Sequence, residues 1–489
     1  MTEATAAAAD SAAAVRSGPA QRPARPGWIL FAVMAGTFIA IMDSFIVNVA
    51  VPSIRADLDA SYAQIELTVA GYVLVYGLLL VTGGRLGDLF GYRRMYLAGL
   101  ALFTVASLAC GLAPSPESLI AARVVQAAGA ALFYPQVLSV LQTAFTGKAQ
   151  ARAFSIFGAT IGLASIAGQL VGGALVSMDL FGLSWRPIFL INIPIGVATL
   201  LVASAVLPAA RGTVRPRLDL RGVALLSIAL LLVSIPLVEG QAAGWPMWAW
   251  GMLALALPGF AAFTLWERRL AAAGGFPLVP PALFRVPSFA GGNVLALAFF
   301  AGNAGLFFIL TLHLQGGMGY SPLVAGLTFT PLAMAFVAAS LLAPRMQERM
   351  GLKVLTLGYA VNAAGTLMLL GCALAFETGL TGWIMAPALA VIGFGEGLGV
   401  SPLFGAILAK VPQSEAGAGS GVLETTTQIG MSFGVTVLGL VFAVFLGSGT
   451  GLAASTTAFT AGLVGNLVLA VVALALMPVV LRGRSTTAG

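Results

Sequence analysis

Four ionisable residues interrupt otherwise apolar stretches: Asp43 in FIAIMDSFIVNVAVP, Arg123 in LIAARVVQAAGAALFYP, Glu396 in VIGFGEGLGVSP and Glu424 in SGVLETTTQIG. A carboxylate at the centre of a membrane helix costs about 2.5–3.5 kcal/mol on insertion scales, so each such residue needs a compensating role. A carboxyl group in a low-dielectric cavity can hold a proton or neutralise a cation, and the two uses compete. Exchange of one for the other is the chemistry Asp43 suggests, and a structural ion pair with a basic residue is the alternative. Arg123 cannot neutralise itself and must meet a carboxylate, backbone carbonyls or water. Gln126 and Tyr134 lie near its helix face. Arg123 is therefore expected either beside an acid or snorkelling to the outer surface.

The glycines at 393, 395, 397 and 399 around Glu396 permit a bend or close packing. Glu396 reads as a second proton or cation site, or else as a buried, hydrogen-bonded acid. Glu424 lies near the start of its apolar run, on the side of the Arg85–Arg94 loop. There a gating ion pair or helix capping is expected ahead of substrate contact. His313, the single histidine, ends an apolar run and is expected at the outer interface. Cys110 and Cys372 show neither metal spacing nor a disulfide framework. No G-x-x-x-x-G-K-[ST] loop, nucleophile–base pair or metal constellation is present. ATP-driven transport by this chain alone is thereby excluded, no enzyme activity is expected, and no metal or cofactor is expected beyond the proton as coupling ion.

The elements that must position these residues follow from composition. Of 489 residues 59% are hydrophobic and 8% charged, against about a quarter charged in a soluble domain, so the chain reads as an all-α polytopic membrane protein. A span needs about 20 largely apolar residues. That rule predicts fourteen: 28–50, 64–83, 95–112, 117–140, 152–177, 187–207, 220–238, 247–266, 288–312, 322–342, 354–375, 381–408, 418–446 and 456–481. Residues 1–27 read as a disordered cytoplasmic tail and 483–489 as a short cytoplasmic one. The net charge of +7 does not imply nucleic-acid binding, because the basic residues fall in short loops. All of the 24 Lys and Arg except Arg55, Arg123 and Arg186 fall on one set of loops and the two tails, which predicts both termini in the cytoplasm.

An internal repeat supports a two-part architecture. GRLGDLFGYRRMYL (84–97) aligns with PRMQERMGLKVLTL (344–357), bringing Arg85 onto Arg345, Asp88 onto Glu348, Gly91 onto Gly351 and Arg93 onto Lys353. The two loops follow the second and tenth predicted spans. Two six-helix halves with two extra helices between them would produce that offset, and duplicated helical halves are a transporter signature. The expected parts are an N-terminal bundle (28–210), two linker helices (211–270) and a C-terminal bundle (271–482).

With these motifs in hand, the chain resembles the fourteen-span drug:proton antiporter branch of the major facilitator superfamily over almost all of 28–481. DSFIVNVAVP resembles that branch's first-helix pattern, GRLGDLFGYRR the superfamily's loop signature, RVVQAAGAA its fourth-span motif and WRPIFLINIPIG the segment entering span 6. GQLVGG resembles the antiporter motif GPxxGG, with Gln169 in place of its proline. The resemblance implies a proton-coupled multidrug efflux antiporter at the inner (plasma) membrane that exports amphipathic, cationic drugs or dyes by alternating access. It implies proton and substrate roles for Asp43 and Arg123, and a gating network of Gly84, Asp88, Gly91, Arg93 and Arg94. It also implies an antiporter motif at Gly168, Gly172 and Gly173, and linker status for spans 7 and 8. The substrate pocket is expected to draw on Phe45, Tyr72, Tyr76 and Tyr134 through stacking or cation–π contact, with Asn48 and Gln126 as polar neighbours. A monomer in a lipid bilayer, without nucleic-acid partners, is expected. A dedicated exporter of one endogenous metabolite is the alternative.

Overall fold

The computed structural model describes residues 26–208, 218–240, 243–447, 449 and 451–482, except the side chains of 48, 62, 63, 66, 181, 238, 322, 323 and 479–482. Both predicted tails and the Arg211–Arg217 part of the basic loop set lie largely outside the described residues. Helices in chain order are α1 Pro26–Leu58, α2 Tyr62–Phe90, α3 Tyr92–Gly111, α4 Pro116–Ala144, α5 Gly147–Met178 and α6, in two pieces, Pro187–Leu190 and Asn192–Val206. They continue with α7 Leu220–Glu239, α8 Met247–Ala272, α9 Pro287–Leu312, α10, in the pieces Pro322–Thr328 and Thr330–Met350, α11 Lys353–Phe376, α12 Gly382–Leu408, α13 Ala416–Leu446 and α14 Leu452–Arg482.

Local chemistry sets the boundaries. Ser61 and Gln64 form a reciprocal capping box at the start of α2, satisfying two otherwise orphaned backbone donors. Ser115 caps α4, with Pro116 at its first turn, where a missing N–H costs nothing. Gly91, at φ 93°, makes the abrupt α2–α3 turn that a Cβ would strain. Several helices outrun their apolar windows. α1 continues past Pro52 to Leu58, because helical hydrogen bonding persists into polar surroundings where hydropathy has already fallen.

Among the described residues, thirteen helices are long and apolar enough to cross a membrane. The stretch expected as an unbroken span at 322–342 is the exception. It is interrupted at Phe329, just before Pro331 enters the first turn of Thr330–Met350. Its lower end carries Arg345, Glu348 and Arg349, which dilute its hydropathy.

Helices α1 to α6 pack chiefly on one another, α1 against α5 and α4 against α2 and α3; α9 to α14 do likewise, α9 against α13 and α12 against α10 and α11. α7 and α8 pair together, and α7 also touches α2 and α13. The two groups meet where α2 and α4 face α13 and where α5 faces α10 and α12. Large side chains such as Leu201, Leu257, Val105 and Val444 remain exposed around the circumference, as a lipid-facing surface requires.

Candidate functional site

Asp43 of α1 is fully buried and held by groups from two other helices, α4 and α6. Its Oδ2 accepts a hydrogen bond from Arg123 Nη1 at 2.6 Å, while Oδ1 accepts from Gln126 Nε2 at 2.9 Å and Asn192 Nδ2 at 2.7 Å. Arg123 Nη1 also donates to Gln126 Oε1 at 2.7 Å, and its Nε reaches the Thr68 carbonyl at 3.4 Å. Ser107 of α3 closes the cluster, its Oγ accepting from Gln126 Nε2 at 2.8 Å. Cys110 Sγ stands 3.7 Å from Gln126 Oε1. Taking both charges out of water is expensive, and only this dense set of donors and acceptors makes the pair tolerable. Arg123 thus does not snorkel outward, and Asp43 meets the ion pair that the sequence left as its alternative.

Sequence reasoning missed Asn192 and Ser107. Asn192 lies within WRPIFLINIPIG, where an amide amid branched apolar residues was a usable signal. Ser107 gave none, since a serine satisfies itself on the preceding turn, as Ser107 also does with Phe103.

A cavity of about 400 Å³ lies between the two groups of helices. One wall carries Phe45, Tyr72, Tyr76 and Tyr134, and the facing wall carries Glu396, Glu424, Phe300 and Phe404. Asp43, Arg123 and Gln126 do not line it. They lie behind Tyr72, whose ring is 4.0 Å from the Arg123 guanidinium carbon. The side chain of Asn48 is outside the described residues. Glu396 accepts a long hydrogen bond from Asn362 Nδ2 at 3.5 Å. Glu424 lies roughly two turns inside α13, too deep for helix capping. Its side chain faces the cavity rather than a gating ion pair, and among the described residues its Oε1 has no hydrogen-bond partner. The sequence placed it near the membrane face because the predicted span begins at 418, whereas α13 starts near there but turns this side chain inward.

The face bearing the basic loops is closed. Asp88, at the end of α2, accepts from the backbone N–H groups of Gly417 and Ala418 at 2.8 and 2.9 Å, at the first turn of α13. A carboxylate at a helix N-terminus is favoured by the unpaired amides and the helix dipole. Tyr92 donates to Asp88 at 2.9 Å, and Arg85 is 3.6 Å away. Gly84 lies against the Gly417 carbonyl with no room for a Cβ. Gln142 of α4 donates to the carbonyls of Leu408 and Val411 at 2.7 and 2.9 Å, adding a second cross-link between the groups. The expected gating network is therefore composed differently: Arg93 donates to the Ser204 carbonyl at the end of α6, and Arg94 is exposed. Their positions on the first turn of α3 turn them away from the α2–α13 contact.

In GQLVGG, Gly168 and Gly172 admit α1 at Met42, Phe45 and Ile46, whereas Gly173 meets only Val49 at ordinary distance. Gln169, where the family has proline, lines the cavity. On the opposite face from the basic loops, Arg186 and Trp185 donate to Asp57 at 2.6 and 3.0 Å, tying the α6 entrance to the end of α1. The Arg186 hydrogen bond holds the Asp57 carboxyl below the usual carboxylate range. His313, expected at the interface, is instead buried, with Nδ1 3.0 Å from Ser455 Oγ and its ring stacked on Phe459 at 4.6 Å. Packing between α9 and α14 overrides its polarity.

Comparison with known proteins agrees with this fold. A family model described as Major Facilitator Superfamily matches residues 33–435. The chain is 42% identical over 426 residues to the "Probable actinorhodin transporter" of Streptomyces coelicolor, covering 86% of this chain and 73% of that one. It is 38% identical to a cephamycin export protein of Amycolatopsis lactamdurans, covering 82% of each. Among solved structures it resembles the human organic anion transporter MFSD10, with a TM-score of 0.66 at 14% identity over 94% of this chain and all of that one; this likeness concerns the fold alone. The chain belongs to the major facilitator superfamily.

Proposed function

We propose that this chain is a proton-coupled efflux antiporter that exports amphipathic cations by alternating access, with both termini in the cytoplasm of a cell whose inner membrane it spans. The observation that carries the reading is the division of labour in the site: a sealed Asp43–Arg123 pair beside a cavity walled by aromatics and two carboxylates. Aromatic faces and carboxylates together suit a flat, positively charged guest. The names of the relatives, a probable actinorhodin transporter and a cephamycin export protein, support outward movement of small molecules.

In this cycle, 28–210 and 271–482 act as two six-helix bundles that rock about the cavity, with 211–270 as linker helices and the broken α10 as the fourteenth crossing. On this reading the closed face bearing the basic loops is the cytoplasmic one. Protonation of Asp43 accompanies substrate release, and proton loss readies the cavity for the next substrate. No cofactor is required beyond the proton, and one chain in the bilayer suffices. Asp43→Asn in proteoliposomes with an imposed pH gradient tests this. Gradient-driven ethidium transport should be lost while ethidium binding persists, and undiminished transport would overturn the assigned role.

A second reading is favoured by one observation: the two relatives above are each named for one compound. On that reading the cavity serves a single endogenous metabolite. Transport of ethidium together with several unrelated cations would count against it.

A further inference from the structure

We propose that Tyr72 is the partition through which an occupant of the central cavity acts on the Asp43–Arg123 pair, an inference that rests on the antiporter reading above. The two sites an antiporter must connect do not touch directly: the ion pair is sealed, and the cavity is lined by other residues. The Tyr72 side chain borders both. Its ring lies 4.0 Å from the Arg123 guanidinium carbon and stacks on Tyr76 at 6.0 Å with planes 10° apart. Tyr76 meets Tyr134 edge-on at 6.1 Å, so an aromatic run extends from the buried arginine along the cavity wall. Ser44, which adjoins Asp43 on α1, lines the cavity together with Tyr72. One ring thereby contacts the α4 arginine through its face while bordering the cavity.

The surroundings of Asp43 make this partition consequential. The charged and titratable groups facing the carboxylate are Arg123 from α4, Tyr72 from α2 and Cys110 from α3; α6 supplies the neutral amide of Asn192. A guanidinium, a phenol and a thiol are poor proton acceptors. A proton therefore leaves or reaches Asp43 only if water enters, and Tyr72 stands between the carboxylate and the cavity. An aromatic cation in the cavity competes for the tyrosine faces. Moving the Tyr72 ring removes the face-on partner of Arg123 and opens the way to water. By thermodynamic reciprocity, protonation that frees Arg123 also loosens Tyr72 and alters the cavity wall.

Cys110 provides a direct readout, because it is fully buried in the cluster and the chain has only one other cysteine. In full-length Cys372→Ser protein, Cys110 labelling by a small methanethiosulfonate reagent reports access to the cluster. Tyr72→Leu should speed labelling by about tenfold or more, whereas Tyr72→Phe, which keeps the ring, should stay within about twofold of the parent. Ethidium added to the parent should speed labelling as well. In proteoliposomes Tyr72→Leu should leak protons without ethidium, and Tyr72→Phe should not. Labelling unchanged in Tyr72→Leu, or raised equally by the cavity-wall change Phe45→Leu, would overturn the partition role. If ethidium is neither bound nor driven by a gradient, the antiporter reading fails, while the two Tyr72 variants still decide whether the ring seals the cluster.

Discussion

A buried carboxylate and guanidinium are stable together for reasons that neither supplies alone. Asp43 and Arg123 were legible as anomalies, since charge in an apolar run demands an explanation. Their partnership was not, because it depends on how α1 and α4 are rotated against each other. Gln126 could be placed on the Arg123 face by helical spacing, but its two hydrogen-bonding ends reach Asp43, Ser107 and Arg123 only in the folded bundle. The arrangement makes a stability prediction. Arg123→Ala leaves the carboxylate without its counter-ion and should destabilise the protein by about 3–5 kcal/mol. Replacing both partners, Asp43→Leu with Arg123→Met, should cost clearly less, because no uncompensated charge remains. Unfolding of the detergent-purified variants, compared as a double-mutant cycle, checks this. Equal losses in the single and double variants would show that the helices need the polar cluster itself rather than charge balance.

Among the elements, the α2–α13 contact is where loop chemistry becomes conformational control. The sequence exposed Asp88 and its glycines as a motif, and charge bias put them on the basic face. It could not show that the partner is the first turn of α13, because backbone amides carry no sequence signature. The internal repeat has a structural counterpart: Gly351, like Gly91, takes a positive φ, and Glu348 approaches Lys148 at the start of α5 as Asp88 approaches the start of α13. The two contacts are unequal. The Lys148–Glu348 pair is mostly solvent-exposed and contributes little, whereas Asp88 is buried and accepts two backbone hydrogen bonds. Hydrogen bonds to a charged group contribute about 1.5–3 kcal/mol each. Asp88→Ala should therefore shift the equilibrium toward an open basic face by about 2 kcal/mol, roughly thirtyfold. Spin labels at the exposed Arg94 and Ser414 should report a longer distance in that variant. Lys148→Ala should leave the distribution close to that of the parent.

For the whole molecule, the span rule and the charge bias gave the helix order and the repeat suggested paired halves, because lipid leaves the chain few ways to satisfy its backbone. The cavity was only partly legible. Rings on the predicted spans suggested an aromatic wall, but the opposite wall depends on how α12 and α13 turn, and there Glu424 faces inward. The two walls differ in kind: tyrosines on one side offer π faces, while Glu396 and Glu424 on the other offer carboxyl groups. Glu396 is steadied by Asn362, whereas Glu424 Oε1 has no hydrogen-bond partner among the described residues. A cationic guest can supply the partner that Glu424 lacks, so Glu424 should contribute more to charge selection than Glu396. Glu424→Gln should weaken ethidium binding by about 2 kcal/mol, roughly thirtyfold, and leave a neutral guest of similar size within about twofold. Glu396→Gln should show a smaller difference between the two guests. Binding measured by fluorescence on the purified protein checks both variants, and an equal loss for charged and neutral guests would mean that Glu424 shapes the cavity rather than selecting charge.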